Sequence, residues 1–83
     1  MEKKSNYDAV REVWRQKFLT MDHESLAERF HLNIDAGHLY LTYFSHPYSI
    51  DRRTANIVRL DQPDAPIGFD TEMNFFNMFH YAA

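Results

Sequence analysis

The hydrophobic positions of this chain change period twice. Over residues 6–21, Tyr7, Val10, Trp14, Phe18 and Met21 recur at spacings of three and four, the stripe of an amphipathic helix. Val13 widens that stripe, while Asp8, Glu12, Arg15 and Gln16 take the other side. Ser5 followed by Asp8 has the form of a capping box with a short acid. Trp14 is the expected anchor against a sheet. Asp22 then caps a second helix over 23–30, with Leu26, Ala27 and Phe30 inward. Glu24 and Glu28 come early and Arg29 and His31 late, as the helix dipole favours.

From there the period falls to two. Leu39, Leu41 and Tyr43 alternate with Tyr40, Thr42 and Phe44, which predicts a strand over 38–44 with one apolar face. Asp35-Ala36-Gly37-His38 is a turn that pairs residues 32–34 with its start. Ser45-His46-Pro47 is expected to break the strand, with extended chain resuming over 48–51. Asp51 to Ala55 turns again into a strand over 56–60. Links this short force antiparallel neighbours. Pro63, Pro66 and Gly68 mark a loop, and Asp70 or Thr71 caps a third helix over 70–81. The expectation is one α+β domain over residues 1–83: two N-terminal helices, an antiparallel meander of three or four strands and a C-terminal apolar helix in a two-layer sandwich.

That last helix weighs most in the functional reading. Phe75, Phe76, Met78 and Phe79 cover a broad arc, with Met73 and Tyr81 beside it. The sequence given ends there without a polar tail. The arc is therefore expected to need the domain's own sheet, a second copy or further chain, and Met73, Phe75, Phe76, Met78, Phe79 and Tyr81 are the expected interface. The length supports this reading. A domain of 83 residues hides only about 60–65% of the surface its unfolded chain exposes, and small domains are commonly supported by disulfides, metals or oligomerisation.

Composition removes several alternatives. There is no cysteine, hence no disulfide and no thiolate metal site; this fits a cytoplasmic protein. The net charge of −3, with both signs interspersed, disfavours nucleic-acid binding driven by counterion release. Arg52, Arg53 and Arg59, with Tyr40, Phe44 and Tyr48, suggest a small basic spot with stacking rings, but on a net acidic chain they read as a solvated turn. No apolar run reaches the roughly 20 residues of a membrane span.

The chemistry-bearing residues do not converge. His38 and His46 bracket one strand, which at about 3.3 Å per residue sets them roughly 25 Å apart. His23 and Glu28 are not on one helix face, and no His-Glu-x-x-His motif occurs. His31 and His38, with Asp35 between them, form the candidate metal set. Ser45 and His46, adjacent in extended chain, point to opposite faces and make no nucleophile–base pair. Asp61, Asp64, Asp70 and Glu72 read as turn and capping acids, since no calcium-loop pattern is present. No cofactor is expected. An enzymatic role is disfavoured, save as part of a larger enzyme.

Leu26-Ala27-Glu28-Arg29, then Tyr43-Phe44 and Tyr48-Ser49-Ile50-Asp51, resemble the front half of a family of uncharacterised proteins from anaerobic prokaryotes. The resemblance spans roughly residues 6–81 through short, mostly structural motifs. It implies longer relatives that cover the apolar helix with additional chain. It carries no activity, so no functional residue transfers. Two positions depart from the pattern: Phe30-His31 stands where the family favours a small residue or glycine, and Ser45 where it favours glycine. The expected function is thus a small non-enzymatic module that self-associates or binds a protein partner. The alternative is a small-ligand or divalent-metal domain.

Overall fold

The computed structural model describes residues 6–82. The elements are α1 (Asn6–Leu19), α2 (His23–Phe30), β1 (Asn33–Ile34), β2 (His38–Tyr43), β3 (His46–Asp51), β4 (Ile57–Arg59) and α3 (Phe69–Ala82). The strands form one antiparallel sheet in the order β1-β2-β3-β4, a plain meander. The α+β architecture is therefore as the periodicities predict.

The local signals act as expected at most boundaries. Asp22 caps α2 by accepting from Ser25 N–H at 3.2 Å. The α2 helix ends at His31, whose φ of 55° places it in the left-handed region. Asp35 closes the first turn by accepting from the N–H groups of Gly37 at 2.8 Å and His38 at 2.6 Å. Ser5, the expected cap of α1, lies outside the described residues.

Two boundaries differ from expectation. The α1 helix stops at Leu19 because Thr20 folds back, with both its N–H and its hydroxyl donating to Lys17 O. Ser45-His46-Pro47 does not break the sheet. Phe44 and Ser45 alone make the turn, at φ 50° and 66°, and β3 begins at His46. Pro47 is tolerated because it lies where the pairing with β4 runs out. Leu60 N–H donates to Pro47 O at 2.8 Å, and proline has no N–H to return.

Alternation sorts the sheet into two faces. Leu39 and Leu41 on β2, opposite Ile50 and Tyr48 on β3, are buried under the helices. Thr42 and Pro47 lie on the reverse face and are exposed. Helix α3 covers the inner face, with the Phe75 ring edge-on to Tyr43 and Tyr48 at 4.8 and 5.0 Å. Its other flank receives α1. Phe18 meets Phe76 and Phe79 at 5.7 and 6.0 Å, and Tyr7 meets Phe69 at 4.7 Å, so α1 and α3 run in the same direction.

Phe18, rather than Trp14, is the α1 anchor. Phe18 is fully buried, while Trp14 is half-exposed and packs edge-on to His80 of α3. The α1 contact also uses a stripe the periodicity assigns to solvent. Arg11 Nε and Arg15 Nε each lie 3.1 Å from a carboxylate oxygen of Glu72. Glu72 is only 4% exposed, so it is a buried counter-ion between two helices and not a capping acid.

Candidate interaction surface

The three phenylalanines expected to form an interface are interior. Phe75, Phe76 and Phe79 are each 0% exposed and pack among the chain's own Phe18, Phe30, Tyr43 and Tyr48. Met73 and Met78 are half-buried against the same core. Of the six expected residues Tyr81 alone projects, at 86% exposure. The sheet and α1 thus cover the apolar arc of α3 from within, and a contact through its phenylalanines would require opening the domain.

The exposed apolar surface lies instead on α1. Tyr7, Val10 and Val13 are 66%, 41% and 53% exposed, and Tyr7 and the half-exposed Trp14, which touch Phe69 and His80 of α3, form the edge of this surface. The cause is the rotation of α1. Arg11 and Arg15 turn toward Glu72, which swings the Val10–Val13 side away from α3. Lys17 is the one charged side chain of this face among the described residues, and its Nζ sits 4.9 Å above the Trp14 ring.

A second exposed apolar group is Phe44 at the hairpin tip, with its edge against Tyr43 at 4.5 Å. Behind the hairpin, the outer sheet face and the α2–β1 corner enclose a groove of about 370 Å³. His31, Asn33, Tyr40, Thr42, Pro47 and Leu60 are among its lining.

The histidines serve other ends. The ring of His23 is buried and stacked on Phe18 at 4.4 Å. Its Nε2 is 2.9 Å from Phe18 O, and its Nδ1 accepts from Arg52 Nε–H at 3.2 Å. These partners select the neutral ring protonated at Nε2. Arg52 also donates to Asp35 O at 2.6 Å, so it ties α2 to two turns of the sheet. No local sequence pattern announces this clamp, because its members are distant along the chain.

His38 and Asp35 do approach, at 4.0 Å between Nδ1 and Oδ1, and His38 Nε2 is equally far from Asp51. His31 does not join them. Among the described residues no group of three His, Cys, Asp or Glu side chains is placed to hold a metal ion. The Asp35 carboxyl is held below the usual carboxylate range by the N–H groups of His38 and Gly37, and it accepts from the Tyr40 hydroxyl at 3.0 Å. That bond raises the Tyr40 phenol above its ordinary value.

His46 belongs to a third cluster. Arg59 donates to Asp61 through Nε at 2.6 Å, and His46 Nδ1 lies 3.0 Å from both Asp61 Oδ2 and Arg59 Nη2. Nδ1 either accepts from the guanidinium or donates to the carboxylate, never both in one protonation state. Arg59, and after it His46, lower the Asp61 carboxyl below its ordinary value. The expected basic spot therefore does not form. Arg52 and Arg59 sit at opposite ends of β3 and each is engaged. Nor do the rings share a platform, since Tyr40 is on the outer face, Tyr48 on the inner one and Phe44 at the tip.

No protein-family model matches the chain, and neither does any curated protein or solved structure. No helix among the described residues is long and apolar enough to cross a membrane.

Proposed function

We propose that this chain is a small non-enzymatic module that self-associates, with the outer face of α1 packed on the same face of a second copy. The observation that carries this reading is the exposure of Val10 and Val13, with Tyr7 at their edge, on a helix that Arg11 and Arg15 fix to the buried Glu72 of α3. Clustered exposed apolar side chains on a small domain mark an association surface. The charges favour an antiparallel pairing. Parallel helices would set Lys17 against its own copy, whereas antiparallel helices carry it toward the Tyr7 ring and oppose the two helix dipoles.

A face of four residues falls short of the roughly 1,200 Å² that stable interfaces bury. The dimer is therefore expected to dissociate on dilution. A setting in the reducing cytoplasm accords with a chain free of cysteine. The likeness to uncharacterised prokaryotic proteins adds no activity to this reading.

Light scattering after size-exclusion chromatography, at high and low loading, tests it. The mass should rise with concentration, and Val10→Glu with Val13→Glu should lower it while the circular dichroism spectrum stays unchanged. A wild-type chain that remains monomeric at every loading would refute self-association.

A further inference from the structure

We infer that the β2–β3 hairpin is a second self-docking device, in which Phe44 of one copy enters the outer-face groove of another and receives that copy's Phe44 in return. The inference rests on the hairpin and not on the α1 contact. Two-residue hairpin turns with both central residues at positive φ ordinarily use Asn-Gly, since few side chains tolerate that backbone. Here the positions are Phe44 at 50° and Ser45 at 66°. The turn thus holds a bulky side chain in a sparsely populated conformation, and that side chain is 80% exposed. Within the domain that ring gains only an edge contact with Tyr43. Backbone strain and an exposed aromatic ring at one position together indicate a contact made outside the fold.

The groove fits this occupant. Beside Phe30, Pro47 and Leu60 its wall carries the polar groups of His31, Asn33, Tyr40 and Thr42, with no Asp, Glu, Lys or Arg. An uncharged ring enters such a wall without burying a carboxylate, an ammonium or a guanidinium. Its volume of about 370 Å³ exceeds that of one phenylalanine side chain and leaves room for the flanking turn. Knob and groove also lie on one hairpin, because Thr42 and Pro47 of the wall are paired two residues from the tip. A two-fold axis beside the hairpin therefore brings each tip to the other copy's groove in one step, the reciprocal arrangement of an isologous dimer.

The test isolates this contact by using the Val10→Glu/Val13→Glu chain, in which the α1 face is closed. Light scattering at high loading should give twice the chain mass. Adding Phe44→Asn, which suits the turn but removes the ring, should return the mass to one chain. Thr42→Arg, which charges the groove while leaving the ring, should do the same. Ser45→Gly relaxes the turn and keeps both knob and groove, so it should preserve the dimer. In the otherwise wild-type chain, Phe44→Asn should lower the mass at high loading but leave a dimer held by α1.

A monomeric Val10→Glu/Val13→Glu chain with native circular dichroism overturns the hairpin contact and leaves the α1 contact standing. A dimer that survives both Phe44→Asn and Thr42→Arg overturns it as well. Should the α1 double variant fail to fold, Phe44→Asn alone decides: a wild-type mass at every loading refutes the contact.

Discussion

Phe79→Ala is the sharpest test of how α3 is used. Phe79 is 0% exposed, and its ring lies 6.0 Å from Phe18 of α1 and 5.6 Å from Phe30 of α2. Truncation removes the ring where all three helices meet, and three separately anchored backbones cannot close the void. Loss of a buried phenylalanine of this kind costs about 3–5 kcal/mol. A domain of this length has a total stability of about 4–12 kcal/mol, so the variant forfeits a quarter of it at the least. Urea denaturation followed by circular dichroism measures the difference directly. Low protein concentration is needed, because any self-association would stabilise the folded form by mass action. Tyr81→Ala, two residues on and 86% exposed, is the internal reference and should change stability by less than about 0.5 kcal/mol. A Phe79→Ala loss as small as that of Tyr81→Ala would mean that α3 turns this face to solvent, and the core assignment would fail.

Two further outcomes follow from the charged groups. Glu72→Gln leaves the guanidinium groups of Arg11 and Arg15 facing a neutral amide, and should cost about 1–3 kcal/mol by chemical denaturation. Replacing all three residues with Met should recover much of that loss, since a buried ion cluster contributes little beyond what good apolar packing supplies. Acid should weaken the domain at its turns and at the α2 cap. The carboxyls of Asp22, Asp35, Asp51 and Asp61 all lie below their ordinary value of 3.8, mainly through hydrogen bonds from Ser25, His38, Arg53 and Arg59 respectively. A folded pKa below the unfolded one gives stability that is full above the unfolded value and disappears as pH falls through the folded one. Thermal midpoints should therefore drop as pH falls below 3.8, and Asp35→Asn should flatten that drop.

The elements were legible because their signals are local. Asp22 caps the helix that follows it, Asp35 satisfies the two N–H groups just beyond it, and alternation from Leu39 to Tyr43 needs no distant partner. The hairpin turn was misread for an equally local reason. Pro47 reads as a breaker, yet its missing N–H falls at the end of a ladder, and Phe44-Ser45 carries no Asn-Gly signature. His31 and Ser45 both have positive φ. The backbone there is what glycine adopts most easily. Both positions carry side chains in that conformation, which makes His31→Gly and Ser45→Gly the natural candidates for stabilising substitutions.

Which apolar side chains stay exposed was illegible for a reason that goes beyond any one motif. Periodicity shows that a helix has an apolar side, but it does not say which side meets the protein. In α1 the Tyr7–Val10–Trp14 stripe is the obvious candidate for burial, yet a buried carboxylate on α3, Glu72, draws Arg11 and Arg15 inward, so that Val10 and Val13 turn out while Tyr7 and Trp14 keep only edge contacts with α3. In α3 the reverse holds. An arc wide enough to suggest an external partner is consumed by two internal ones, with Phe75 under the sheet and Phe76 and Phe79 against Phe18. The two misreadings have one origin, because the α1–α3 contact joins residues as far apart as Arg15 and Glu72 and no local pattern encodes it. With α1 held by that ion pair, Val10 and Val13 of the first helix are exposed while the phenylalanines of the last are interior.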